Sequence, residues 1–557
     1  MNWNRMAKNK IKHLQLIVLC VISCFLSFNT NAQTGTERKH LIYFKDKAGT
    51  PFSVSNPEAF LSERALQRRA RQNIPVVERD LPVSPQYVAA LHNLGADVWY
   101  TSRWFNAAVV SADSALLAVL QAQPFVESAQ TLNLKPNKKP VTEFKNPAIL
   151  PNNLRLALAP ADYGVAYHQA NMIGAVNLHQ NGFKGEGMMV AVFDAGFPGV
   201  NTVSAFQHLY QNNQLVSTYN FVDRNTNVYQ RSSHGTNVLS TMAAYDKGRY
   251  IGTAFEAKYL LFITEDADTE HNIEEVNWLI AAERADSAGV DVINSSLGYT
   301  TFDAPSRNYS YQDMNGNTTI VTRAADFAAA TGMLVVNSAG NEGNQNWRFI
   351  SAPADGDSVL AVGAVDSLGR KAGFSSFGPT ADGRIKPNLA AQGFLPYLIA
   401  PSGGIFKGNG TSFSGPILCG MATCFWQANY SLSNIEIIRY LQQSASQANN
   451  PDNNIGYGIP NAERAFQLAL QDRTTIYLYP NPLRDDLLTV NLSENFRDKN
   501  LDIKIYDMIG REVYDLKVTE TNGIKELVVP TGKLQNGMYV CVITHDSGKK
   551  AIRFVKL

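Results

Sequence analysis

Between about Tyr163 and Leu470, short apolar runs alternate with stretches of helical periodicity such as Ile273 to Ala288. The runs are apolar throughout rather than at every second position, which is typical of strands buried on both faces of a sheet. We therefore predict an α/β domain over residues 163–470, with a mainly parallel sheet and helices on both faces. The apolar runs are Met189 to Phe193, Lys258 to Ile263, Val290 to Asn294 and Met333 to Asn337.

Two further segments flank this domain. Residues 33–132 read as strand, helix, strand, strand, helix, strand, with an extra helical insert from Pro57 to Arg71, and predict a small α+β domain. Residues 471–557 show only alternating strands with regular turn signals, which predicts an Ig-like β-sandwich. Residues 133–162 are rich in proline and lysine, which is typical of an extended linker that proteases can reach.

The first 32 residues have the pattern of a secretory signal peptide. Basic residues precede an apolar run from Leu14 to Phe28, and small residues allow cleavage after Ala32. A lipoprotein is the alternative, because the residues before Cys24 loosely fit a lipobox. No later stretch is long and apolar enough to predict a membrane span.

Charge and cysteine content exclude several classes of function. A net charge of +1 over 557 residues gives no overall field for nucleic acid or for acidic substrates. Beyond the leader, Cys419, Cys424 and Cys541 form an odd set that argues against a disulfide framework. They lack the spacing of a zinc site, so we expect buried thiols and no metal bound by them.

Three motifs of the α/β segment carry residues suited to nucleophilic catalysis. Asp194 directly follows an apolar run, and active sites lie beyond the carboxyl ends of parallel strands. His234 opens an apparent helix, and histidine is the usual base near neutral pH. Ser412, in the sequence GTSFSGP, starts another helix, where free N–H groups favour an oxyanion. Taken singly, each residue also fits a structural role, as a turn aspartate, a core histidine or a helix cap.

A fourth motif, NSAGNEG at 337–343, ends another apolar run. Its Asn341 carries a side-chain amide for the same oxyanion, or else it is a turn asparagine. In the order Asp194, His234, Asn341 and Ser412, the motifs resemble the subtilisin-like serine peptidases, whose triad order differs from that of other serine hydrolases. The stretch FSSFGPTADGRIKP at 374–387 matches a further signature of that family.

The resemblance implies a serine endopeptidase that uses an acyl-enzyme. Ser412 would be the nucleophile, His234 the general base and acid, and Asp194 the residue that orients the imidazole. Asn341 and the backbone N–H of Ser412 would form the oxyanion hole.

The resemblance also implies a substrate-binding edge at Ser296-Leu297-Gly298, which pairs with the substrate backbone. It implies no cofactor for the chemistry and no catalytic metal. Structural calcium occurs in the family, but no ligand set can be read from this sequence. The oxygen-bearing residues 313–317 lack an acidic residue at the twelfth position, so we expect a glycine-centred hairpin turn there.

The flanking domains carry resemblances of their own. Residues 33–132 resemble the propeptides of this family, which assist folding and inhibit the enzyme until they are cut, and we expect that cut within residues 133–162. A permanent accessory domain is the alternative. The last segment, with YPNP at 479–482, IYDMIGR at 505–511 and the closing KKAIRFVKL, resembles the C-terminal sorting domain of the bacterial type IX secretion system. The alternative is an Ig-like adhesion or sugar-binding module.

Together these resemblances imply a secreted or cell-surface endopeptidase that acts on proteins or peptides. Its partners would be its own propeptide and the type IX secretion machinery, with no nucleic acid and no transmembrane segment in a monomeric mature chain. Two rival hypotheses remain: a catalytically inactive subtilisin-like surface protein that binds peptides, and an adhesin whose β-sandwich is the functional part.

Overall fold

The computed structural model describes residues 36–133, 158–304, 306–474, 476–493, 496, 499–519, 524–545 and 548–557. The predicted signal peptide lies outside the described residues, and so does most of the predicted linker. The described part forms a small α+β domain, a large α/β domain and an all-β domain in chain order, as the sequence predicts.

The N-terminal domain is built on one antiparallel sheet. Its strands are β1 (Arg38–Phe44), β2 (Asp97–Ser102), β3 (Ala107–Ala112) and β4 (Val126–Asn133). They lie side by side in the order β2-β3-β1-β4. The helices are α1 (Glu63–Arg71), α2 (Pro85–Asn93) and α3 (Ser114–Gln121). The predicted element order is therefore confirmed, and α1 is the predicted helical insert.

Alternate residues of this sheet face two different cores. Ile42 packs in one core with Leu91 of α2 and Leu120 of α3. Leu41 and Val109 point the opposite way and belong to a core shared with the α/β domain. Because successive strand residues point to opposite faces, one face of the sheet carries its own helices and the other docks on the large domain.

The α/β domain contains a seven-stranded parallel sheet and two short antiparallel pairs. Its strands are β5 (Met189–Asp194), β6 (Leu215–Asn220), β7 (Tyr245–Asp246), β8 (Tyr250–Ile251), β9 (Lys258–Ile263), β10 (Val292–Ser295), β11 (Leu334–Ser338), β12 (Val359–Val365), β13 (Leu389–Gln392), β14 (Phe394–Ile399) and β15 (Ile405–Asn409). The parallel sheet has the order β13-β12-β11-β10-β5-β9-β6, while β7-β8 and β14-β15 form the pairs.

Helices cover both faces of the parallel sheet, as predicted. They are α4 (Tyr167–Asn171), α5 (Ala175–Gln180), α6 (Gln207–Gln211), α7 (His234–Ala243), α8 (Ile273–Ala288), α9 (Ile320–Ala330), α10 (Thr411–Ala428), α11 (Asn434–Ser444) and α12 (Ala462–Thr474). Val190 and Val192 of β5 pack in the core that contains α7 and α10. Ala191 and Phe193 pack in the core that contains α8 and α9. The uninterrupted apolar runs thus arise because both faces of each strand are buried.

The C-terminal domain consists of two antiparallel sheets. Its strands are β16 (Tyr477–Tyr479), β17 (Leu487–Asn491), β18 (Leu501–Asp507), β19 (Glu512–Val518), β20 (Glu526–Pro530), β21 (Gly537–His545) and β22 (Gly548–Lys556). The sheets have the orders β16-β17-β20 and β19-β18-β21-β22 and enclose one apolar core, which is the predicted sandwich.

Two local predictions differ from the structure. The apolar run that starts at Val290 becomes a strand only at Val292, because the N–H of Val290 closes the end of α8 by donating to the carbonyl of Ala285. Residues 313–317 form a turn with Gly316 at φ +81°, but this turn leads into α9 and joins no strands, so it is not a hairpin. No described helix is long and apolar enough to cross a membrane.

Candidate active site

Asp194 and His234 meet at the carboxyl edge of the parallel sheet. Asp194 is the last residue of β5, and His234 is the first residue of α7. The imidazole Nδ1 donates to the Asp194 carboxylate, at 2.8 Å from Oδ1 and 3.0 Å from Oδ2. Asp194 is fully buried, whereas the His234 side chain is 33% exposed, so part of the ring remains accessible. The pair therefore has the geometry of a general base held in one tautomer.

The electrostatics of this pair suit a base that becomes charged during a reaction. Burial disfavours the imidazolium, but the adjacent Asp194 carboxylate and its hydrogen bond outweigh that effect and hold the pKa of His234 above its ordinary value. The backbone N–H of Ala195 donates to the same carboxylate at 2.7 Å and helps to fix its orientation.

Ser412 is the second residue of α10 and lies at the N-terminal end of that long buried helix. Its side chain is 8% exposed, and its hydroxyl donates to the carbonyl of Ser296 at 3.4 Å. In return, the Ser296 hydroxyl donates to the carbonyl of Ser412 at 3.0 Å. The next residue, Phe413, places its ring centroid 5.8 Å from that of His234, so the imidazole lies beside the start of α10. The Ser412 hydroxyl thus donates to Ser296 and not to His234. Hydrogen bonds between a nucleophile and its base are often long without substrate and tighten when it binds.

Asn341 contacts the first residue of α10, Thr411. Its Oδ1 accepts hydrogen bonds from the backbone N–H of Thr411 at 2.8 Å and from the Thr411 hydroxyl at 3.0 Å. A backbone N–H can only donate, so the atom beside it must be the carboxamide oxygen. The Nδ2 amide then points away from Thr411. Thr411 was not singled out from the sequence, although it lies within the GTSFSGP motif.

Ser296, Leu297 and Gly298 follow directly after β10. Ser296 is buried against Ser412, Leu297 is half-buried, and Gly298 is exposed. The carbonyl of Leu297 accepts from the Asn337 side chain at 3.0 Å, which anchors the segment to β11. Gly298 is therefore the accessible end of this segment.

The N-terminal domain reaches toward this side of the α/β domain with its last strand. β4 ends at Asn133, and Leu132 is fully buried in the core that both domains share. The Ser306 hydroxyl donates to the carbonyl of Leu132 at 3.2 Å and is itself bonded to Nδ1 of His271 at 2.9 Å. Neither Ser306 nor His271 carried a recognisable signal in the sequence.

A second contact between the two domains centres on carboxylates of α8. Glu283 accepts hydrogen bonds from the Ser102 hydroxyl at 2.6 Å and from the N–H groups of Arg103 at 3.0 Å and Trp104 at 3.1 Å. Asp286 forms ion pairs with three arginines of the N-terminal domain, namely Arg68, Arg69 and Arg103. All of these charges are almost completely buried, so the docking is held by paired ions as well as by apolar contact.

Three carboxylates near the end of β9 are the candidate metal ligands among the described residues. Glu265, Glu270 and Glu274 place one oxygen each within 4.8 Å of one another. Burial raises the pKa of each of them. Repulsion adds to this effect, from Glu270 at Glu265 and from Glu265 and Glu270 at Glu274. At Glu270 the added repulsion comes from Asp303 and Glu275, outside the cluster. Carboxylate oxygens suit a hard cation such as calcium. Protonated carboxyl groups can lie this close together without a cation, so these three residues are not assigned as metal ligands.

The three segments each match a protein-family model. Residues 39–146 match the Peptidase S8 propeptide domain of Bacteroidota, and residues 185–458 match the Subtilase family. Residues 477–556 match a Secretion system C-terminal sorting domain. These matches identify the N-terminal domain as a propeptide and the C-terminal domain as a signal for type IX secretion to the cell surface or the extracellular space.

Characterised relatives agree with the central match. Subtilisin NAT of Bacillus subtilis subsp. natto is 31% identical over 314 residues, which is 55% of this chain and 71% of the relative. Subtilisin of Bacillus pumilus is 30% identical over 315 residues, covering 55% of this chain and 98% of the relative. Since the second of these relatives is matched over nearly its whole length, the chain belongs to the subtilase family of serine endopeptidases.

Proposed function

We propose that this chain is an exported zymogen whose processed form hydrolyses peptide bonds through an acyl-enzyme on Ser412. The observation that carries the proposal is the hydrogen bond between His234 and the buried Asp194, at the edge of the sheet where α10 presents Ser412 at its N-terminal end. Subtilase membership makes peptide-bond hydrolysis the reaction class, and the geometry supports these residues as its machinery.

The first half of the reaction forms the acyl-enzyme. Ser412 Oγ attacks the scissile carbonyl carbon and passes its proton to Nε2 of His234. Asp194 holds Nδ1–H and stabilises the imidazolium that results. The tetrahedral intermediate then collapses, the C–N bond breaks, and the leaving amine takes the proton from His234. Water repeats these steps on the ester and regenerates the free serine.

The negative charge of each tetrahedral intermediate requires donors in fixed positions. The amide Nδ2 of Asn341 and the backbone N–H of Ser412 would supply them. Thr411 supports the first donor, because its N–H and hydroxyl hold the carboxamide oxygen. The N-terminal end of α10 adds its free N–H groups and the positive end of the helix dipole. No cofactor is needed for this chemistry.

The substrate would lie along Ser296-Leu297-Gly298 as an added strand. The exposure of Gly298 and the closeness of Ser296 to Ser412 support this placement. Residues 33–132 would block the enzyme until a cut within residues 133–162 releases them, and the peptidase domain would span residues 163–470. Residues 471–557 would serve export.

A kinetic comparison of processed variants tests the proposal. The processed wild-type protein should cleave an unfolded protein substrate, and Ser412→Ala, His234→Ala and Asp194→Asn should each lower kcat by several orders of magnitude. Ser412→Ala and His234→Ala should lower kcat by nearly the same factor, because the two residues act as a unit. Absence of cleavage by the processed wild-type protein would support the inactive peptide-binding homologue or the adhesin instead, whereas equal cleavage by all four proteins would contradict the assignment of these residues.

A further inference from the structure

The guanidinium of Arg68, in α1 of the N-terminal domain, is buried in a site built by the α/β domain. Arg68 is 2% exposed. Its Nε donates to the carbonyl of Thr331 at 3.2 Å, and its Nη1 donates to the carbonyl of Val290 at 2.6 Å. Its Nη2 donates to the carboxylate of Asp286, which is fully buried. Each nitrogen of the guanidinium therefore has its own acceptor, an arrangement that suits the forked donors of arginine rather than the single ammonium of lysine.

The ends of two helices contribute to this site. The carbonyl of Gly289, just after α8, accepts from Nε of Arg64 at 2.9 Å. The carbonyl of Gly332, which follows α9 and its cap Thr331, accepts from Nε2 of Gln72 at 2.8 Å. The C-terminal end of a helix carries the negative end of the helix dipole and favours cations. The backbone of this surface therefore attracts positive charge in addition to the carboxylates.

Three arginines on one face of α1 define what the surface recognises. Arg64, Arg68 and Arg71 stand at positions i, i+4 and i+7 of the helix and therefore share one face. Arg64 pairs with the carboxylate of Asp291, and the guanidinium of Arg71 lies 3.6 Å from the centre of the Tyr430 ring. Guanidinium groups bind carboxylates and stack on aromatic rings in ways that ammonium groups do not. The surface thus fits a helix that carries arginines at this spacing.

The carboxylates of this surface depend on the N-terminal domain for their counter-charges. Every ion pair that Asp286 and Asp291 form among the described residues is with an arginine of that domain. Asp286 is 0% and Asp291 is 1% exposed while the domain is bound. When residues 33–132 leave, both carboxylates lose these partners. A carboxylate without a counter-charge in a largely buried position is costly, so the surface then favours a new cationic partner.

This surface lies away from the active site but at the other end of the same strand. Asp291 directly precedes β10, and Ser296, which contacts Ser412, directly follows it. Since a strand rises about 3.3 Å per residue, the two positions are separated by roughly 16 Å. A chain that is bound at this surface therefore keeps its neighbouring segments close to the nucleophile, which raises their effective concentration there.

We propose that, in the processed protein, the surface that α1 covers is a second binding site for protein substrates, and that it takes a helical segment with arginines at positions i, i+4 and i+7. The inference rests on the proposed function, because processing must remove residues 33–132 and Ser412 must be the nucleophile. This site contacts the substrate equally in the ground state and in the transition state, so binding there lowers KM and leaves kcat unchanged.

Isothermal titration calorimetry of the processed protein tests the site. The protein is treated with a fluorophosphonate so that no peptide is cut. The probe is an alanine-rich helical peptide with three arginines at the spacing found in α1, and two control peptides carry either lysine or the uncharged, nearly isosteric citrulline at those positions. The protein variants are Asp286→Asn and, as a matched control, Asp357→Asn, which neutralises an exposed carboxylate paired with Arg384. Circular dichroism verifies that both variants are folded.

We expect the arginine peptide to bind wild type and Asp357→Asn with the same affinity. The citrulline peptide on wild type, and the arginine peptide on Asp286→Asn, should each bind at least about tenfold more weakly, because charge-assisted hydrogen bonds are lost. The lysine peptide should also bind more weakly. Unprocessed Ser412→Ala should not bind the arginine peptide, because α1 already covers the surface. Equal affinities for the arginine and citrulline peptides would overturn the site, and this comparison needs no protein variant.

The kinetics of the active processed protein test the role in substrate binding. A chromogenic peptide joined by a flexible linker to the arginine helix should show a KM at least about tenfold lower than its citrulline counterpart, with equal kcat. Equal KM values would overturn the role in substrate binding even where the arginine peptide binds. A processed protein that does not react with fluorophosphonate would overturn the proposed function, but the calorimetric comparison would still be made on it, so the two failures are distinguishable.

Discussion

At the scale of single residues, the roles proposed for Asp194 and His234 predict how the reaction rate depends on pH. The imidazole must be neutral to accept a proton, and the neighbouring carboxylate holds its pKa above the ordinary value. We expect kcat/KM to rise with pH through a value above that of a free histidine. In Asp194→Asn the attraction is lost while burial persists, so the rise should move to lower pH and kcat should fall on the order of 10⁴-fold. A pH–rate profile with a chromogenic peptide measures both, and an unmoved profile in the variant would contradict the assignment.

The carboxamide of Asn341 gives a second prediction at this scale. Asn341→Ala should lower kcat by about 10²–10³-fold, the loss found when one oxyanion donor is removed from a subtilisin, with little change in KM. Thr411→Val removes one of the two groups that hold the carboxamide oxygen, so it should cause a smaller fall in kcat. Steady-state kinetics measure the split between kcat and KM, and the exposed Asn450→Ala is the matched control. A loss that appears only in KM would assign Asn341 to substrate binding instead.

The candidate site could be proposed from the sequence at this scale, because its residues stand in short motifs. Asp194, His234, Asn341 and Ser412 each stand in a distinctive local sequence. The contact of Thr411 could not be predicted, because its partner Asn341 lies 70 residues away in the chain. Its role becomes visible only through the hydrogen bond that it donates to the Asn341 carboxamide oxygen.

At the scale of elements, helix α8 contacts the N-terminal domain through buried ion pairs. Asp286 forms ion pairs with three buried arginines. Asp286→Asn leaves these buried cations without that counter-charge, which typically lowers the free energy of unfolding by about 3–5 kcal/mol. In the Ser412→Ala background, which blocks self-cleavage, we expect the unprocessed variant to melt several degrees lower than its parent. The processed variant should differ little from processed wild type, because the arginines have left. Differential scanning calorimetry measures both. Asp357→Asn, which breaks the exposed pair with Arg384, is the control, and an equal loss in both forms would contradict the account.

The connection between β9 and α8 carries a prediction about stability and pH. Burial and the neighbouring carboxylates raise the pKa of Glu274 far above its ordinary value of 4.5. Above that value the unfolded chain releases a proton that the folded protein keeps, so this group lowers stability as pH rises. Glu274→Gln removes the penalty, and its Tm relative to wild type should increase between pH 5 and pH 9. Thermal melts in the Ser412→Ala background measure this, with the exposed Glu58→Gln as the control. A pH-independent difference would contradict the raised pKa.

Element identity was predictable where periodicity was strong, as for α8 and β9, whose bounds agree with the sequence reading. The first and last residues of elements were less predictable where a backbone group is used by a neighbouring element. Val290 is apolar like a strand residue, yet its N–H is used to end α8. The sequence predicts the last strand of the N-terminal domain over Phe125 to Ala129, whereas β4 continues to Asn133, because its further residues are polar and pair along β1 without an apolar signal.

At the scale of the whole molecule, the chain combines a propeptide, a peptidase domain and a sorting domain. We predict that removal of residues 471–557 leaves the protein unable to reach the cell surface or the medium, because the sorting domain is its signal for the type IX system. Cell fractionation and immunoblotting measure this, with full-length Ser412→Ala as the control for export without self-cleavage. Secretion of the truncated chain at the full-length level would contradict the role of this domain.

The domain order was predictable at this scale, because each segment has its own periodicity and motifs. The way in which the propeptide docks was not predictable. Arg68 and Asp286 lie far apart in the sequence, and the local sequence around neither residue indicates that they form an ion pair. The helical insert α1 therefore looked like an addition to the first domain, whereas the structure makes it part of the contact with the peptidase domain.

The central claim is that Ser412 becomes a nucleophile only together with His234 and Asp194, and only after the propeptide has left. Fluorophosphonate labelling followed by tandem mass spectrometry of the adduct tests it most directly. We predict a single adduct on Ser412 in the processed protein, with much slower labelling in the unprocessed chain and in His234→Ala. An adduct on another residue, equal labelling of the unprocessed chain, or no adduct in the processed protein would contradict the account.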